Sequence, residues 1–390
     1  MTQLTRRRVL GATATTALGA ALAAPARAAA PIRLGASLSL TGRFSDSAKY
    51  AREGYLLWVE QVNEAGGLKG VPVKLTIYDD ASNPDTGRVL AQRLIDRDGV
   101  VAILGPYSSP ITDAAAVVVE RAQVPMLGTI ASDSSIWTRR HLRWSFQAFP
   151  SSDYDHEGFL KIVRAKGGTM KVAIVFEQSP FSIAAKDWAV ANAGKLGLTL
   201  AAFGYAPGGQ DFRAIIEHII GFGAEAVSMG GYYQPSIALT RQMVERGFNP
   251  LGYQFIEAAN GTSKDALGGN VQGIFGRTAW AASLDTAGNH AFVAAYQARF
   301  KRAPSYHSAA AYAAGQTMGA AIMAKGADRA GIRDFLATTA VPTVMGTFRV
   351  NGPGQQVGYR YTVIQWQDGA PRVVSADGTA PIIWPKPKWS

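Results

Sequence analysis

The sequence predicts an α/β protein built from two doubly wound lobes. Three observations predict it. The chain has 390 residues, too many for one average domain. Short apolar runs alternate with helical patterns between residues 32 and 138. The same alternation restarts after Phe149-Pro150-Ser151-Ser152. With 47% hydrophobic and 17% charged residues, there is ample material for a core.

In chain order, Ile32 to Leu40 is strand-like and ends at Thr41-Gly42. Ala48 to Ala65 reads as a helix, with Gly54, Leu57, Trp58 and Val62 on one face and a Gly66-Gly67 stop. Val73 to Tyr78 is a strand, and Asp85 to Arg97 a helix with Leu90 and Leu94 inward. Val101 to Leu104 is a buried strand broken by Gly105-Pro106. Ser109-Pro110 then reads as a helix N-cap followed by proline at the first helical position. Val124 to Leu127 is a strand, and Gly128 to Thr138 a polar turn.

Beyond residue 150, Ser152 to Lys166 is expected to be one helix, with His156 and Glu157 a solvated pair on it. Strands at 172–176, 198–203, 226–229 and 253–256 alternate with helices at 180–196, at 212–222 behind an Asp211 cap, and from Gln234-Pro235 to Arg246. Helices follow at 291–300, 307–325 and 328–338, then strands at Phe348-Arg349 and 359–366. The proline-rich tail 381–390 reads as an irregular arm packed on the surface. Ser109-Pro110, Ser179-Pro180 and Gln234-Pro235 each open a helix after an apolar strand. Their free backbone N–H groups could converge on one crevice and suit a carboxylate.

Thr5-Arg6-Arg7-Arg8-Val9-Leu10, an Ala/Gly/Thr/Leu stretch and Ala26-Arg27-Ala28 predict a cleaved twin-arginine signal over residues 1–28. Of the formal charge of +11, four units belong to arginines 6, 7, 8 and 27, leaving about +7 for an exported, periplasmic chain. No later window strings five basic residues together, so nucleic acid is not expected as a partner. The absence of cysteine excludes disulfides and thiolate metal sites. None of the five histidines has metal-ligand spacing, and no nucleophile elbow or phosphate-binding loop follows a strand. No catalysis, metal or cofactor is expected.

An ordered series of motifs carries a family resemblance: Leu38-Ser39-Leu40-Thr41-Gly42, Gly54 with Asn63-Glu64-Ala65-Gly66-Gly67-Leu68-Lys69-Gly70, and Tyr78-Asp79-Asp80. Gly105 with Ser108-Ser109, Asp211-Phe212 and Gly230-Gly231-Tyr232-Tyr233 continue it. Across residues 31 to 370 the chain resembles the periplasmic substrate-binding proteins of branched-chain amino acid ABC transporters, with the type I periplasmic binding protein fold. The resemblance implies Rossmann-like lobes joined by three crossovers, one of residues 29–148 plus 278–350 and the other of 149–277 plus 351–390. It also implies a monomer that hands a small ligand to membrane permease subunits.

By the same resemblance, Ser108 and Ser109 grip the ligand carboxylate, and Ile130, Ala131 and Ser132 add a backbone and hydroxyl contact. Phe181 covers the ligand where the leucine/isoleucine/valine binder has tyrosine, and Tyr232 stands near the ligand ammonium. The family's acidic partner of that ammonium falls on Ala259 by ungapped alignment, two residues after Glu257. A buried ammonium without a carboxylate is costly. Either Glu257 reaches the site through a shifted loop, or the ligand is an aromatic or other organic acid or amide lacking the amino group. A sensory ligand-binding module is the alternative from another class.

Overall fold

The computed structural model describes residues 30–167, 170–374 and 381–390; the expected signal segment lies outside them. The first sheet holds β1 (Ile32–Leu38), β2 (Val73–Asp79), β3 (Ala102–Leu104), β4 (Met126–Gly128) and β5 (Ser145–Gln147), all parallel in the order β2-β1-β3-β4-β5. The second holds β6 (Lys171–Glu177), β7 (Thr199–Tyr205), β8 (Ala226–Gly230), β9 (Gly252–Phe255) and β10 (Phe275–Thr278), parallel in the order β7-β6-β8-β9-β10. β13 (Thr362–Gln367) and β14 (Ala370–Val374) extend that sheet antiparallel, and β11 (Val341–Thr343) pairs with β12 (Gly346–Phe348) as a separate ribbon.

Helices link the strands: α1 (Ser45–Glu64), α2 (Pro84–Asp96), α3 (Ser109–Ala122) and α4 (Ser135–Arg140) belong to the first sheet's windings. α5 (Glu157–Gly167), α6 (Pro180–Ala193), α7 (Arg213–Phe222), α8 (Tyr233–Arg246) and α9 (Ser263–Leu267) belong to the second's. α10 (Asn289–Phe300), α11 (Tyr306–Lys325) and α12 (Arg329–Thr338) return the chain to the first sheet, where α11 packs along α1. α11 is buried on most of its surface, and a Ser305–Ser308 capping box fixes its start.

Each parallel sheet reverses its winding once, between β1 and β3 in the first and between β6 and β8 in the second. In open α/β sheets such switch points leave a crevice at the carboxyl ends of the strands. Here the loops from both crevices meet: Phe181, Tyr232 and Ile256 share one buried cluster with Phe44, Tyr107 and Ile130.

Several expectations are corrected. Ser152 to Lys166 is not one helix: a 3-10 turn at Ser152–Tyr154 precedes α5, and Asp155 and His156 between them are buried. His156 is therefore no solvated partner of Glu157. Its Nδ1 lies 2.8 Å from Ser228 Oγ, and burial pushes its pKa down to about 3. The polar turn at 128–138 contains the start of α4, and the three-residue β5 follows it. Helix α3 starts on Ser109 with Ser108 in the cap position, and neither hydroxyl caps it. The tail 381–390 does pack against the second sheet, with Trp389 Nε1 donating to Phe248 O and Trp384 beside Phe275.

Candidate functional site

One cavity collects residues from both crevices. The first sheet supplies Tyr107, Ser108 and Ser109 after β3, Ile130 and Ser132 after β4, and Phe149 after β5. The second supplies Phe181 at the head of α6, Tyr232 after β8, Ile256 and Glu257 after β9, and Arg277 on β10. Tyr306 and His307, the first turn of α11, complete the wall around a cavity of about 20 Å³.

Seven of the eight residues singled out from the sequence line this cavity: Ser108, Ser109, Ile130, Ser132, Phe181, Tyr232 and Glu257. Ala131 does not; it is fully buried in the cluster that holds Ile103 and Trp137, and its carbonyl accepts from Gln147 Nε2 at 3.3 Å. Sequence reasoning missed Tyr107, Phe149, Ile256, Arg277, Tyr306 and His307.

Ser108 and Ser109 divide their labour. Ser109 Oγ accepts the backbone N–H groups of Ser132 at 3.2 Å and Asp133 at 3.1 Å, which ties the loop after β4 to the start of α3. Ser108 has φ +82° and ψ 145°, a conformation that side chains rarely adopt. Its buried Oγ has no hydrogen-bond partner among the described residues, and neither has Tyr232 OH. Leaving such hydroxyls dry and unpaired is costly unless a ligand or water completes them.

Glu257 brings a carboxylate to the same space, whereas Ala259 does not line it. Tyr107 OH donates to its Oε1 at 2.9 Å and Ser47 Oγ to its Oε2 at 3.1 Å, both from the first sheet's side. Burial pushes its pKa up to about 7, against the pull of these hydrogen bonds and of the Arg277 charge. Phe181 packs on Tyr232 with ring centroids 4.8 Å apart, and Phe44 closes on the same ring at 4.4 Å.

A latch joins the loops of the two sheets. Arg43, just before α1, lies over the Phe44 and Tyr232 rings at 4.4 and 5.1 Å and pairs with the fully buried Glu177 at 3.2 Å. Gln234 Nε2 donates to Asp46 alongside it. The contacts of Arg43 with Tyr232 and Glu177 and of Asp46 with Gln234 exist only while the two sheets' loops touch, so they favour the closed cleft. Replacing Arg43 with alanine is expected to speed ligand release about three- to tenfold and to leave the association rate nearly unchanged. Stopped-flow fluorescence measures both; an unchanged release rate would count against the latch.

Two lobes of this topology, meeting over a buried cavity of mixed polarity, define a two-lobed solute-binding protein. The chain belongs to the periplasmic binding protein family, whose model matches residues 31–371. It is 30% identical over 325 residues to an amino acid binding protein of Pseudomonas aeruginosa, covering 79% of this chain and 83% of that one. It is 27% identical over 340 residues to Leu/Ile/Val-binding protein homolog 3 of Brucella melitensis, covering 85% and 90%. Its fold matches the branched-chain amino acid transporter substrate-binding protein LivJ of Streptococcus pneumoniae in complex with isoleucine, with TM-score 0.81, 20% identity and coverage of 89% and 100%. It equally matches a solute-binding protein of an R. palustris ABC transporter in complex with benzoate, with TM-score 0.80, 16% identity and coverage of 89% and 96%. Among the described residues no helix is long and apolar enough to cross a membrane.

Proposed function

We propose that this protein is the periplasmic solute-binding component of an ABC importer. It captures a small carboxylate-bearing ligand, with a hydrophobic amino acid as the leading class. Residues 29–148 plus 278–350 and residues 149–277 plus 351–390 act as its two lobes. The reading rests on one observation above all. An unpartnered Ser108 hydroxyl from the first sheet and the Glu257 carboxylate from the second border the same buried cavity.

Ser108, with Ile130 and Ser132, takes the ligand carboxylate. Glu257 and Tyr232 take the ammonium, and Phe181 and Ile256 cover the apolar body. Closure dries the cleft, so that a mismatched polar group costs more than it would in water. The closed form is the one a permease would recognise, with the protein acting as a monomer.

A second reading is favoured by Glu257 itself. Its carboxyl already receives two hydrogen bonds and titrates near 7, so a neutral Glu257 could face an aromatic or other organic acid without an amino group. Mass spectrometry of co-purified ligand, with a thermal-shift panel, separates the two. Saturating leucine, isoleucine, valine or phenylalanine should raise Tm by several degrees through mass action. Stabilisation by benzoates alone would overturn the amino-acid reading.

A further inference from the structure

Arg277 is the one cavity residue whose cation persists at any pH the protein meets. It projects from β10, beside the β9 loop that carries Glu257, whereas Ser108 stands on the first sheet's side. The side chain is buried, with 6% exposure, and its guanidinium is framed by the rings of Tyr361, Phe149 and Tyr306 at 4.3, 5.6 and 5.9 Å. Asp155 supplies the counter-charge, with Oδ1 2.7 Å from Nε. That contact is close but poorly aligned. Nε and Nη1 of Arg277 have no acceptor in hydrogen-bond geometry among the described residues, and neither Asp155 oxygen has a donor.

The charge of Arg277 is thus compensated while its donors at Nε and Nη1 are not. A guanidinium offers five donors in a fixed plane, and burying them unpaired is unfavourable. The aromatic frame neutralises nothing and accepts only weakly, so it fixes the orientation of the guanidinium, which lines this cavity and also a second one that it shares with Asp155 and Tyr361. A ligand with a carboxylate, an ammonium and a hydrocarbon tail would satisfy Ser108 and Glu257 and still offer Arg277 nothing.

We infer that Arg277 is a second ligand-binding group of the cleft, and that the ligand carries, besides the carboxylate at Ser108, a further oxygen for the guanidinium to bind. The class is therefore hydroxy-, oxo- or carboxy-substituted amino or aromatic acids, in preference to their hydrocarbon counterparts. Asp155 is a positioning residue: it touches the guanidinium and does not line the cavity that holds Ser108. The inference rests on the proposed reading of the cleft as a carboxylate-binding site and shifts its leading ligand class from purely hydrocarbon side chains to oxygen-bearing ones.

The test uses ligand pairs that differ by a single oxygen: valine against threonine, phenylalanine against tyrosine, and benzoate against 4-hydroxybenzoate. Calorimetry on the wild-type protein should give about tenfold or greater preference for the oxygen-bearing member of at least one pair. The double variant Arg277→Met with Asp155→Asn removes both charges together, so no buried carboxylate is orphaned. Its preference should fall to about twofold or less. Arg277→Lys, which keeps the charge and loses the planar fork, should lose most of the preference too and serves if the double variant does not fold.

The inference is overturned if the wild type binds the hydrocarbon members as tightly, or if the folded variants keep the discrimination. Failure of the underlying reading looks different. In that case none of the six ligands binds, or Ser108→Ala leaves their affinities untouched, and both proposals fall together.

Discussion

Glu257→Gln is expected to weaken binding of any amino-acid ligand by about 100-fold or more, and to change binding of an amine-free acid by no more than a few-fold. The substitution keeps the shape of the side chain, and its carbonyl can still accept from Tyr107 or Ser47. What it removes is the negative charge. In a buried cavity an ammonium facing a neutral amide has lost its water and gained no counter-ion, a loss of roughly 3 kcal/mol for a hydrogen-bonded charge pair. Calorimetric titration of wild type and variant measures it. Equal amino-acid affinities in the two proteins would remove Glu257 from the site.

The same residue sets a pH dependence whose sign differs between ligand classes. In the free protein Glu257 titrates near 7 because burial disfavours its charged form. An ammonium needs the carboxylate ionised, so amino-acid affinity should fall about tenfold per pH unit below 7 and level off above it. An amine-free acid prefers the neutral form, and its affinity should fall as pH rises through 7. Stability follows the direction of the shift. The folded pKa is raised above the ordinary 4.5, so the contribution of this group is complete below pH 4.5 and is lost as pH rises through 7.

Much of the fold could be read from residue pattern because the elements that matter are long or sharply bounded. β6 and β8 are apolar runs closed by helix-starting Ser179-Pro180 and Tyr233-Gln234-Pro235. The cavity residues Ser108, Phe181 and Tyr232 follow such strands, but it is the family resemblance that singles them out as ligand contacts. β5 was not, because a three-residue strand has no period of its own and is defined only by pairing with β4. Arg277 was missed with β10, whose Phe275-Gly276-Arg277-Thr278 carries a charge where a buried strand is expected to be apolar. His156 misled in the opposite direction. Its neighbours in sequence are charged, and only the fold brings Ser228 to it from 72 residues away. Tyr306 and His307 were visible as the start of a helix, but what aims them at the cleft is the packing of α11 on α1.

That packing makes Gly54→Val the substitution with the largest expected cost to stability, about 3 kcal/mol or more. Gly54 lies on α1 where a Cβ would stand 2.1 Å from Ser308 O and 3.0 Å from Ala311 Cβ, so the backbone of α11 itself would have to move. The contact is reciprocal, since the Trp58 ring of α1 occupies the place where a Cβ on Gly315 would be, at 2.4 Å. Two helices this close are held in one register, and that register carries Tyr306 and His307 into the cavity wall. Gly54→Val should therefore lower the urea midpoint and also weaken ligand binding, although its own side chain does not line the cavity. Gly194→Ala is the control: it has helical backbone angles and open space around its missing Cβ, so it should be neutral or stabilise by about 0.5 kcal/mol. If Gly54→Val were tolerated as well as Gly194→Ala, with ligand affinity intact, the α1–α11 contact would not be what positions the α11 wall of the cleft.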